Sequence, residues 1–250
     1  MSTPSPTRRR VETLALAGAG TVLFAALGLP LPFLFGPLFA CLFAALAGRP
    51  LMGFGVVSIA ARTILGVAVG ASITPEVIDA LPQMAASVAF MPLYILCIGL
   101  VGLPFFQRVC GFDRVTAWYA AMPGGLQDMV IFGHEAGGDP RALSLIHATR
   151  VLVVITVAPL ILSLGFGASL TNPLGAPAVE LPAGELVLMI VAALVGWKGG
   201  ERIGIFGASI LGPLIVTACL SLAGLIHTRP PAEAILFAQF MIGVSIGVGY

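Results

Sequence analysis

The sequence predicts an all-α integral membrane protein: a polytopic helical bundle of two tandem, inverted repeats with a re-entrant Pro-Gly-Gly segment. Three observations predict it. Of 250 residues, 58% are hydrophobic and 9% are charged. A soluble domain carries roughly 25% charged residues, so a water-soluble fold would lack the polar side chains to cover its surface. Apolar runs recur along the whole chain, and the chain repeats itself block by block.

The runs fall at 13–29, 33–48, 53–73, 83–106, 143–166, 185–197, 208–226 and 232–249. A full membrane crossing needs about 20 residues. Several runs reach that length, the first pair is marginal, and 185–197 is short. Short segments interrupted by Gly and Pro are typical of broken or tilted helices in transporters. Basic residues at Arg8, Arg9 and Arg10 precede the first run, as they do in a signal peptide. The repeat argues that this first segment belongs to the fold and is retained.

The repeat is explicit. "LFGPLFACLFAALAG" (34–48) aligns without gaps with "ILGPLIVTACLSLAG" (210–224), matching Gly36-Pro37 to Gly212-Pro213. "ARTILGVAVGASI" (61–73) matches "AQFMIGVSIGVGY" (238–250), matching Gly66 and Gly70 to Gly243 and Gly247. These glycine pairs read as close helix packing. Gly36-Pro37 and Gly212-Pro213 are candidates for kinks near a pseudo-symmetry axis. The expected organisation is a basic arm at 1–10, a complete repeat at 11–167, a connecting loop at 168–184 and an incomplete repeat at 185–250. Nothing in the second copy corresponds to 74–163. The helix carrying Gly243 and Gly247 is therefore expected to find its partner in a missing half or in a homo-oligomer.

Lys and Arg favour the cytoplasmic side of a membrane. If 115–137 does not cross, and repeat two is inverted, nine basic residues fall inside and only Arg229 outside. This predicts a cytoplasmic N-terminus in the inner membrane. Crossing by 115–137 gives a poorer balance.

The stretch "AMPGGLQDMVIFGHEAGGDP" (121–140) interrupts an apolar run with Pro123, Gly124 and Gly125, then adds Asp128, His134, Glu135 and Asp139. Irregular backbone at membrane depth survives only where protein or a wet cavity satisfies it. The spacing predicts that one helix, about 114–122, ends there and another starts near 126. The new N-terminus suits an anion or a carboxylate. Asp128 either satisfies that N-terminus or serves a substrate or proton. Asp139 with Pro140 reads as the cap of the next helix. His147 and Arg150 share a face of that helix. Arg150 should have a partner, with Asp128 or Glu135 nearest in sequence, and the pair is either a structural lock or a proton or anion site. Arg62 is a second embedded cation that either serves a site or snorkels to the interface; its repeat counterpart is Gln239.

No HExxH, CxxC or nucleotide-binding loop occurs, and Cys41, Cys97, Cys110 and Cys219 are scattered. No catalysis, cofactor or metal is expected. A net charge of +1 gives no support to direct nucleic-acid binding. The expected partners are the lipid bilayer and a small molecule or ion.

"AMPGGLQDMVIFGHEAGGDPRALSLIHATRVLVV" resembles the AbrB-type membrane protein family, with its PGGL-x-E-M segment, Gly-x-Asp and His-x-x-Arg helix. The resemblance implies that Pro123, Gly124, Gly125, Leu126, Met129, Asp139, His147 and Arg150 are motif positions. Asp128 stands where the family has Glu. The family is described as regulating gene expression and, in older naming, as ammonia-monooxygenase-like. The residues support neither description directly. They point to a secondary transporter of a small anionic solute with a midplane site at the broken helices. The alternative is a membrane-embedded sensor that affects gene expression indirectly.

Overall fold

The structure is a computed structural model that describes residues 5–124, 126–167, 177–205 and 207–249. These residues are helical, without strands. The helices are α1 (Pro6–Ala26), α2 (Pro32–Leu46), α3 (Gly55–Gly70), α4 (Pro75–Ala89), α5 (Met91–Pro104), α6 (Arg114–Ala121), α7 (Leu126–Glu135), α8 (Pro140–Leu160), α9 (Ala183–Ile203), α10 (Ala208–Leu222) and α11 (Ala232–Val248). Wide π-type turns, Phe105–Val109 and Ile161–Gly165, continue α5 and α8.

Among the described residues, three stretches are long and apolar enough to cross a membrane: Ser87–Val109, Pro140–Ser163 and Ala183–Ile203. A fourth is a broken pair, α3 with Pro75–Ala85, bent by 78°. The apolar run at 185–197 is thus extended to a full-length helix. Its added C-terminal turn carries an exposed Lys198–Glu201 ion pair at 2.9 Å and stops at Gly204, whose φ is 76°. Within the expected basic arm, Arg8, Arg9 and Arg10 lie in the first two turns of α1, which Ser5 caps.

The chain divides into two compact units, residues 1–78 with 163–250, and residues 79–162. In the first unit, α1 packs on α2, and α9 on α10. The two repeats then interleave, with α3 packing on α10 and α11 on α2. Glycines set every one of these crossings. A Cβ added at Gly20 would strike the Gly36 carbonyl, and one at Gly212 would strike that of Gly196. Gly66 and Gly70 face the Ile210 and Leu214 carbonyls; Gly243 and Gly247 face those of Leu34 and Leu38. Each contact has its symmetric twin. The numbers rise together along each pair, so α3 runs parallel to α10, and α11 parallel to α2.

This corrects the expectation for α11. Its glycine face is covered by α2 of the same chain, not by a missing half or a second copy. Lipid tails are as apolar as Leu, so close backbone approach, rather than water exclusion, selects the partner. Pro37 and Pro213 are fully buried inside continuous helices, each resting near a glycine of the interleaved partner, Gly243 and Gly66.

The helices α3 and α11 meet at Ala61 and Ala238, which are 1% and 0% exposed. Phe54, just before α3, packs against the cluster that holds Val244, which lies beyond that point on α11. The two helices are therefore antiparallel, and the repeats are related by a pseudo-twofold axis perpendicular to them. This is an inverted arrangement.

One symmetric pair differs in sign. Arg9 donates to the carbonyls of Pro50 (2.7 Å) and Leu51 (3.0 Å). At the equivalent place, the Glu185 carboxylate accepts from the His227 N–H (3.1 Å), the Thr228 N–H (3.0 Å) and the Thr228 hydroxyl (2.7 Å). Each clamp holds the loop leading into the interleaving helix, one through carbonyls and the other through N–H groups.

The glycine crossings generate a stability prediction. Gly212→Ala should lower thermal stability by about 1–3 kcal/mol, because backbone cannot move aside as a side chain can. Gly199→Ala, whose Cβ would meet nothing within 4 Å, should be neutral or stabilising by up to about 1 kcal/mol. Thermal unfolding in detergent measures both, and equal losses would refute the crossing argument.

Candidate functional site

The second unit contains the Pro-Gly-Gly break. Asp113 caps α6, its Oδ1 accepting from the N–H groups of Val115 (2.9 Å) and Thr116 (3.0 Å). The helix ends at Ala121, and Met122 turns to an extended ψ of 137°. Pro123 brings no N–H to the ladder and Met122 before it is already extended, so the helix stops here. The next helix, α7, begins at Leu126. Both ends match the positions expected from the sequence.

A helix end leaves carbonyls without partners. Here Arg150, reaching from α8, supplies the donors. Its Nη1 donates to the Met122 carbonyl at 3.0 Å, and its Nη2 to the Gly124 carbonyl at 2.8 Å. One guanidinium thus spans the break. Of its five N–H donors, the others have no acceptor among the described residues, which leave out the Asp128 side chain.

The far end of α7 is tied as well. Gly137, at φ 92°, closes the helix, and the Gly138 N–H returns to the Gly133 carbonyl at 2.8 Å. Asp139 then caps α8, accepting from the Arg141 N–H at 2.9 Å, while its own N–H donates to the Thr116 hydroxyl oxygen at 2.9 Å. Thr116 is fully buried. It therefore joins the start of α6 to the α7–α8 turn. A Cβ at Gly138 would lie 3.0 Å from the Gly133 carbonyl oxygen and 3.2 Å from the Thr116 hydroxyl, so the turn tolerates little there.

His147 lies one turn before Arg150 on the same helix and is 0% exposed, with no hydrogen-bond partner at either ring nitrogen among the described residues. Beside the break, α5 and α6 border an open apolar pocket of about 420 Å³, lined by Leu96, Gly99, Leu103, Trp118 and Met122 among others. Met122 thus contributes its side chain to the pocket wall and its carbonyl to Arg150.

The structure brings Pro123, Gly124, His147 and Arg150 into this one unit. Gly125 and the Asp128 side chain lie outside the described residues. Arg62 and Gln239 belong to the first unit, on α3 and α11. The expected pairing of Arg150 with Glu135 is not found: Glu135 is exposed, and Arg150 is turned to backbone carbonyls instead. The broken helix offers those acceptors at the end where its dipole is negative, and the alternative pairing with Asp128 falls outside the described residues. The sequence reading missed Asp113 and Thr116. The D-x-x-T pattern at 113–116 is a capping signal that could have located the first. No short-range pattern marks the Thr116–Asp139 contact, which spans 23 residues. Among the described residues, no three of His, Cys, Asp and Glu come together as metal ligands would.

The family described as "Transition state regulatory protein AbrB" matches residues 33–250. The chain belongs to the AbrB family. A protein of Escherichia coli (strain K12) named "Putative regulator AbrB" is 27% identical over 232 residues, covering 91% of this chain and 66% of its own length. The chain thus spans just under two-thirds of the length of the curated relative it matches. No solved structure matches it. The AbrB match takes in the break, α8 and all of the interleaved second repeat.

Two measurements test this geometry. Arg150→Gln should cost about 1.5–3 kcal/mol, the usual range for hydrogen bonds to a charged group. Arg150→Lys should rescue only part of it, because an ammonium cannot fork across two carbonyls. Glu135→Gln should stay within about 0.5 kcal/mol. Chemical unfolding in detergent reads all three, and an equal loss for Glu135→Gln would restore the ion-pair reading.

The second test concerns Asp113. Thr116, through its hydroxyl and then its N–H, holds the Asp113 carboxyl below the ordinary range. A lowered folded value means stability that is present above the unfolded pKa of about 3.9 and lost as pH falls through the folded one. Asp113→Asn should therefore flatten the loss of melting temperature between about pH 5 and about pH 3. An unchanged acid limb would show that the cap contributes nothing.

Proposed function

We propose that this AbrB-family chain is a secondary transporter of a small anionic solute, bound at the Met122–Gly124 break. The observation that carries this reading is the Arg150 guanidinium fixed across that break by two carbonyls. The adjoining N-terminus of α7 adds the positive end of a helix dipole. The apolar pocket at Met122 supplies an apolar wall beside the charge. Discontinuous helices of this kind form substrate sites in transporters that work by alternating access. Nothing in the site calls for bond-breaking chemistry, and the reading is not enzymatic.

A second reading is a membrane-embedded sensor that affects gene expression indirectly. It is favoured by the word "regulator" in the relative's name. The two readings part on flux. Thermal-shift screening of small carboxylates, phosphate and sulfate should yield a stabilising anion, and proteoliposomes should take up that anion saturably. Uptake should be lost in Arg150→Lys, provided the variant remains folded. Binding with no flux across a range of ion gradients would overturn transport and leave the sensor.

The reading includes an inner-membrane location with a cytoplasmic N-terminus. It is supported by the opposite charges of the Arg9 and Glu185 clamps, since inverted repeats put equivalent residues at opposite membrane surfaces and basic residues favour the inside. With the native cysteines replaced, Ala136→Cys should be labelled by an impermeant maleimide only after the membrane is opened. Labelling in intact cells would refute this orientation.

A further inference from the structure

Arg62 lies eight residues into α3, a helix of 16 residues, and is half-buried. Among the described residues its guanidinium has neither a hydrogen-bond partner nor an ion-pair partner. An arginine within a span is costly and as a rule faces a partner or a wet cavity. One turn earlier on the same face, Ser58 is 2% exposed and its hydroxyl oxygen is also without a partner. Two polar groups in one place thus lack a partner among the described residues of the first unit.

Their direction follows from the packing. At about 100° per residue, Arg62 falls between the Gly66–Gly70 face, which meets α10, and the Ala61 face, which meets α11. Ile64 and Val67, on the opposite side of α3, line a cavity with residues of α9. Arg62 therefore points away from α9, on one side of the α3–α11 plane. Gln239 is its pseudo-symmetric counterpart and follows Ala238 as Arg62 follows Ala61. A twofold axis that exchanges two antiparallel helices is normal to their common plane. Gln239 accordingly emerges on the same side as Arg62, and it too is half-buried.

We propose that this face of the first unit is a second binding site, for an oxyanion. Arg62 binds the charge through its planar fork, and the Ser58 hydroxyl and Gln239 amide are the further donors. A guanidinium matches two oxygens of a carboxylate or phosphate side by side, which a spherical halide cannot reproduce. The donors come from both repeats, so the interleaved packing is what assembles them. The site is distinct from the break at Arg150 and stands without the transport reading. The oxyanion is either a free solute or the phosphate of a lipid headgroup, since both present the same oxygens.

Arginine-selective modification by phenylglyoxal, read peptide by peptide by mass spectrometry, tests the site directly. The purified full chain is labelled in detergent with phosphate, pyruvate or chloride at constant ionic strength. It is also labelled in nanodiscs of phosphatidylglycerol or phosphatidylcholine. Adduct formation at Arg62 should fall about threefold at a phosphate or pyruvate concentration of about twice Kd, and not with chloride. Ser58→Ala and Gln239→Ala should each weaken the protection while leaving Arg150 labelling unchanged. Protection by phosphatidylglycerol without protection by free anions assigns the oxyanion to lipid. Equal protection by chloride, or labelling indifferent to every anion, overturns the proposal. So does an Arg62 that never reacts, because its guanidinium is then held permanently by protein. Arg150 labelling is read in the same spectra, so failure at Arg62 is separable from failure at the break.

Discussion

Backbone-to-backbone contact at glycine is the constraint on which the first unit depends. Inside a bilayer, apolar side chains gain little by leaving lipid for protein, so helices associate where their surfaces fit closely. Gly20 against Gly36, and Gly196 against Gly212, let α1 reach α2 and α9 reach α10. Gly66, Gly70, Gly243 and Gly247 do the same across the repeats. With these crossings fixed, α3 and α11 have only one way to meet. That meeting brings Ala61 to Ala238 and sends Arg62 and Gln239 out on a common side.

The second unit is held by a different force. Its long helices expose most of their apolar surface, with Leu100, Val101, Leu145 and Val154 all more than half exposed. Its fixed points are polar. Arg150 satisfies the carbonyls at one end of α7, and Thr116 with Asp139 fastens the other. A helix of 10 residues is too short to be stable through its own ladder. It persists between two anchored ends, which makes the break a defined geometry rather than a loose connection.

Much of this was legible in the sequence. The Pro-Gly-Gly stop, the restart near 126 and the Asp139–Pro140 cap are local signals, and local chemistry decides them. The glycine pairs announced close packing, but not with what. A small-residue face is equally compatible with any helix that presents a carbonyl ridge, so the choice of α2 for α11 is a tertiary decision without a sequence signature. Leu31 illustrates the same limit. It holds a φ of 48°, the only positive value outside glycine among the described residues, and its counterpart Gly207 shows plainly what the turn requires. For Arg150, an embedded cation suggested a carboxylate; Glu135 is not its partner, and its bonds among the described residues go to carbonyls 26 and 28 residues away. Main-chain acceptors are invisible to any reading based on side-chain charge.

The interleaving also bears on how the protein is made. In α3 the Gly66–Gly70 face is synthesised long before α10 exists, and all of residues 79–162 are threaded in between. Neither half of the first unit can close on itself, because each repeat reserves a groove for a helix of the other. During synthesis α1–α3 must therefore sit in the bilayer as an open hairpin with a bare, small-residue surface. Assembly finishes only when α10 and α11 have left the ribosome, so the first unit matures last to first: its earliest helices wait on its latest.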